Sequence, residues 1–169
     1  MAKKKVFSAD AESRTSAFGL LRYANEYRAA AETLKDNNGD RWSIVPYMLV
    51  SHSIELGLKA FLRSRGATLA DLLDAGHNLE GLHKEAMRRR LDRLWPEAYM
   101  AGQIVPILDR ANERQALRYI VNGMTQLPEW ALASGVAYGL CRSLRMHCLR
   151  RSFGRAAAIE INATRGGKF

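Results

Sequence analysis

Three side chains on one face of an otherwise apolar helix are the first candidates for chemistry. In the stretch Val45 to Gly66, VPYMLVSHSIELGLKAFLRSRG, winding at 100° per residue brings His52, Glu55 and Lys59 within roughly 60° of one another. Glu55 and Lys59 stand at i,i+4 with the acid first, the better order for an ion pair along a helix. Buried, such a pair keeps two charges satisfied inside the core. Facing a cleft, the same stripe would bind a polar ligand.

Other residues offer weaker patterns. Cys141 and Cys148 are seven positions apart on an expected helix, about 10 Å along its axis, too far for a bridge within one chain, so free buried thiols are expected. His147 lies beside Cys148, but there is no CxxC and no second cysteine pair, so no metal is expected. A neighbour in sequence on a helix also faces about 100° away, which argues against a cysteine nucleophile activated by His147. His77, in the Gly76-His77-Asn78 turn, reads as a structural residue bonding backbone, and His83 as lying on the solvated side of an amphipathic helix. Arg88, Arg89, Arg90 and Arg93 form a cationic cluster that reads as a solvated face or as a set of phosphate contacts. The chain carries no GxGxxG, P-loop, HExxH or GxSxG string, and no cofactor is expected.

These residues must be positioned by helices. Phe18, Leu21, Ala24, Tyr27, Ala31 and Leu34 recur near a helical period until KDNNGD stops the run. Asp40 is placed to cap a second helix from Trp42 to Gly66, with Pro46 in its first turn and Arg63 and Arg65 at the end that favours cations. Thr68 caps LADLLDAG and Asn78 caps LEGLHKEAMRRRLDRLW. A rod from Pro96, kinked at Pro106, carries Ile104, Leu108, Leu117, Tyr119, Ile120 and Val121 to an Asn122-Gly123 stop. After Pro128 a last helix runs from Glu129 to about Phe153, with Leu132, Val136, Leu140 and Leu144 at i,i+4.

The expected fold is all-α: a single-domain up-and-down bundle of about five helices over 13–153, the Val45 to Gly66 helix at its centre. A basic arm (1–12) and a basic tail (154–169) flank it. At 169 residues one core is expected. No run is apolar enough to span a membrane, and MAKKKVFSADAES lacks the apolar segment of a secretory signal, so a cytoplasmic setting is expected. The net charge of +9, from 26 Lys and Arg against 17 Asp and Glu, points toward polyanionic partners, nucleic acid first.

The strings SIELGLKAFLRSRG and GHNLEGLHKEA, followed by ERQALRY and a Leu127-Pro128 helix start, together resemble the HEPN family of bacterial and archaeal helical domains that handle nucleotides and RNA. The resemblance runs from about Tyr23 to about Arg150. Ribonucleases of that family carry an Arg, four to six intervening residues and a His late in the bundle, and Arg142 to His147 has that form, with Ser143 where active relatives often have an amide or His. The resemblance therefore implies a metal-independent endoribonuclease in which His147 moves the proton of the RNA 2′-OH and Arg142 holds the phosphate. Arg145 and Arg150 would be supporting RNA contacts. It also implies a homodimer, a toxin or phage-defence setting, and an antitoxin or nucleotidyltransferase partner. Residues five apart on a straight helix point about 140° apart, so Arg142 and His147 would converge only through a bend or a second chain. The alternative is a non-catalytic module that binds a nucleotide, RNA or protein.

Overall fold

Local capping chemistry defines three helix starts in the computed structural model, which describes residue 12 and residues 14–39, 41–113 and 126–164. Ser16 accepts the Gly19 amide at 3.0 Å and starts α1 (Ala17–Asn38), which Gly39 closes at φ +54°. α2 (Val45–Ser64) begins three residues later than the expected Trp42 start. Pro46 has no amide hydrogen to give a preceding turn, so it marks the first turn, and Trp42 is left 75% exposed outside it. Thr68 and Asp71 form a reciprocal capping box on α3 (Leu69–Asp74), and the Asn78 side chain accepts the Gly81 amide at the start of α4 (Leu79–Arg88).

A tight 3-10 turn (Leu91–Arg93), entered through Arg90 in the left-handed region, leads to α5 (Ala98–Glu113), which carries Pro106 within it. α6 (Trp130–Phe153) follows Pro128 as expected. Gly154, at φ +82°, then breaks the chain into α7 (Arg155–Thr164). This last helix corrects the expected tail: Ala158 is buried and Asn162 bonds back to α6. The Asp40 cap, the residues Leu117 to Val121, the Asn122-Gly123 stop and most of the N-terminal arm lie outside the described residues. Among the described residues all regular structure is helical, and no helix is long and apolar enough to cross a membrane.

The expectation of a central second helix holds, with α6 sharing the position: α2 packs on α1, α3, α4 and α6, while α6 packs on α1, α2, α5 and α7. Val50, Ile54, Leu58 and Phe61 give α2 a fully buried stripe. Where the two helices meet, a Cβ on Gly57 would stand 2.6 Å from Leu140 Cδ2, so the absence of a side chain sets their separation. α5 is fastened to α4 by Asp109, whose buried carboxylate accepts the Leu79 amide at 2.9 Å and the Glu80 amide at 3.3 Å. His83 is buried against the start of α5 and its Nε2–H donates to the Ala98 carbonyl at 3.1 Å, which corrects its expected solvated position.

Candidate functional site

Glu55 is the hub of the polar stripe. Its carboxylate, 4% exposed, accepts Lys59 Nζ at 2.7 Å and His77 Nδ1 at 3.0 Å, while His52 Nδ1 lies at 3.6 Å, beyond hydrogen-bonding distance. His52 and Lys59 come from the same face of α2, as their spacing requires; His77 arrives from the α3–α4 turn. Burial pushes the Glu55 carboxyl up, and the neighbouring His52, Lys59 and His77 more than reverse this, holding it at about 2. The structural role expected of His77 includes a partner its turn did not suggest: its ring bonds a carboxylate on another helix. His52 also packs edge-on against Tyr27 of α1, ring centres 4.5 Å apart. The stripe thus ties α1, α2 and the α3–α4 turn together.

His147 sits in a second polar group at the C-terminal ends of α2 and α6. Its Nε2 lies 3.0 Å from the Ser64 hydroxyl, and that hydroxyl donates to the Phe61 carbonyl. A hydroxyl has one hydrogen, so Ser64 accepts from Nε2–H and Nδ1 is left as the proton acceptor of a neutral ring. Partial burial lowers the pKa of His147 first, and the cations Arg65, Arg151 and Arg150 lower it further. Arg151 also donates to the Ser64 carbonyl at 2.9 Å. Among the described residues, none of these three arginines is within salt-bridge distance of a carboxylate. The result is a neutral base beside a concentrated positive charge.

The other expected site residues are distributed differently. Arg142 is exposed, rests over the Tyr138 ring at 5.9 Å and lines a cleft between α5 and α6; it is not among the cations acting on His147. One chain therefore does not bring Arg142 and His147 to a common point. Arg145 corrects its expectation as a surface RNA contact: it is 7% exposed, with Nε donating to Asn162 of α7 at 2.9 Å. Arg150 is exposed in the His147 cluster. In the basic cluster, Arg88 and Arg89 share Glu85 at 2.7 and 2.6 Å and Arg90 pairs with Asp92 at 3.1 Å, so internal carboxylates screen much of the charge; Arg93 is exposed.

Ser64, Arg65 and Arg151 were not visible as site residues in the sequence. Ser64 meets His147 across 83 positions, a contact that no local spacing signals. Arg63, expected at the same helix end, instead straps the N-terminal segment, donating to the Glu12 and Thr15 carbonyls and pairing with the Glu12 carboxylate at 2.9 Å.

Both cysteines are buried, and burial pushes their thiols up to about 11 at Cys141 and about 12 at Cys148. Among the described residues no three His, Cys, Asp or Glu side chains are grouped to hold a metal ion. Compared with known proteins, the chain matches no family model, no curated protein and no solved structure.

Proposed function

We infer that this protein is a HEPN-like RNA-binding bundle that cuts its bound strand by proton transfer at His147. The carrying observation is the neutral imidazole held by Ser64 and faced by Arg65, Arg150 and Arg151. In this reading the three cations hold a backbone phosphate and stabilise the charge that builds on it. His147 Nδ1 takes the proton from the ribose 2′-OH; the 2′-oxygen bonds to phosphorus; the P–O5′ bond breaks, and the leaving oxygen takes a proton from solvent. The products are a 2′,3′-cyclic phosphate and a 5′-hydroxyl. Arg142 has no part in this step within one chain. A homodimer and a toxin or phage-defence setting belong to the same proposal through the resemblance alone.

The separation of Arg142 from His147 favours a second reading, a module that binds RNA without cutting it. A gel assay with mixed single-stranded and structured RNA in EDTA separates the two, run with the parent and with His147→Ala at matched concentration and with binding measured alongside. Cleavage by the parent alone, with binding retained in both, is the expected result. Equal binding with no cleavage by either protein selects the second reading.

A further inference from the structure

α6 carries two glycines, Gly135 and Gly139, four positions apart on the face toward α5. Glycine in a helix interior costs stability relative to alanine, so each calls for a packing reason. Gly139 has one: a Cβ there would stand 2.9 Å from the Trp95 indole nitrogen, so the ring closes directly onto the helix backbone. Gly135 has none, since a Cβ there would meet nothing within 4 Å. The space it leaves is part of a cleft of about 390 Å³ between α5 and α6. Trp95, Ile104 and Val136 make its buried wall, and Met100, Leu132 and Tyr138 are exposed apolar side chains at its mouth. Volume and lining fall in the range of small-ligand sites, mostly apolar with a few polar groups.

Charge at the mouth narrows the ligand. Arg142 is exposed there, its guanidinium held over the Tyr138 ring, and among the described residues it has no carboxylate within salt-bridge distance. Among the described residues Glu97 is the one carboxylate lining the cleft, and Gln103 and Ser143 add neutral polar groups. One cation above an apolar slot suits a flat ring carrying a single anionic group: the ring enters over Val136 and Gly135 and the anion meets Arg142.

We propose that the α5–α6 cleft is a binding site for a small aromatic anion, separate from the His147 cluster. That chemistry is shared by aromatic carboxylates and nucleoside monophosphates, and the two sources differ in whether a sugar joins ring and anion. The inference does not depend on RNA cleavage.

The test is titration of the full chain with 2-naphthoate and with adenosine 5′-monophosphate, read by tryptophan fluorescence and by calorimetry. 2-Naphthalenemethanol and adenosine serve as neutral counterparts. Saturable 1:1 binding of at least one anion is expected, at least tenfold tighter than its neutral counterpart, and the anion that binds identifies the source. Arg142→Ala is expected to remove that preference while leaving the melting temperature unchanged. Gly135→Met should block binding, and because its side chain enters open space the variant should melt no lower than the parent. The proposal is overturned if neither anion binds saturably, if Arg142→Ala leaves the preference intact, or if Gly135→Met lowers the melting temperature or still binds.

Discussion

Glu55 and His77, 22 residues apart, are joined by a carboxylate–imidazole contact of 3.0 Å that fixes the α3–α4 turn against the middle of α2. The carboxyl lies at about 2 in the folded chain against 4.5 ordinarily. A depressed carboxyl stabilises the fold above its unfolded value, and the contribution is lost as pH falls through the folded value. Urea midpoints should therefore be level near neutrality and fall between about pH 4.5 and 2. The loss attributable to Glu55 is at most about 3 kcal/mol. Glu55→Ala strands Lys59 with little exposure and should cost about 3 kcal/mol at pH 7. A variant as stable as the parent would remove the hub role.

The electrostatics at His147 predict a pH profile. Burial and three arginines lower its pKa below 6.5, so a base at this position is already deprotonated at pH 7. RNA cleavage should rise with pH to an apparent pKa below 6.5 and then level off. Arg65→Gln with Arg151→Gln removes two of the lowering charges, so the rising limb should move upward, and cleavage at pH 7 should fall roughly 10- to 100-fold. An unmoved limb would assign the titration to another group.

Close approach of α2 and α6 predicts a size-dependent defect. Gly57→Ala brings a methyl group against Leu140 and should cost about 1–3 kcal/mol in denaturant unfolding. Leu140→Ala alone should cost about 2–5 kcal/mol through its cavity. Together the two should cost at least about 0.5 kcal/mol less than their sum, because each relieves the fault of the other. Strict additivity would show that the helices are not held apart at this point.

The thiols should be silent. With Cys141 and Cys148 buried and raised to about 11 and 12, the folded protein should not react with Ellman's reagent at pH 8. Both of the 2 cysteines should react once guanidinium unfolds the chain. Fast labelling of the folded state would contradict their placement.

What the sequence determined by itself is what neighbours along the chain decide. The caps at Thr68 and Asn78 act on amides three residues away. The stops at Gly39 and Gly66 need only a residue that tolerates positive φ, and the Glu55–Lys59 pair needs only one turn of helix. Those interactions are complete within a few residues, so residue types at fixed spacing suffice. Tertiary structure alone decided which polar groups meet across the bundle. His77 turned to Glu55, and His147 found Ser64 and a ring of arginines rather than Arg142. α7 covered Arg145, and α5 covered His83. Helical periodicity gives the angle of a side chain about its own axis, but the helix that will occupy that direction is chosen by packing among distant segments. For that reason the elements could be read from local order, while the partners at both polar clusters depended on the assembled bundle.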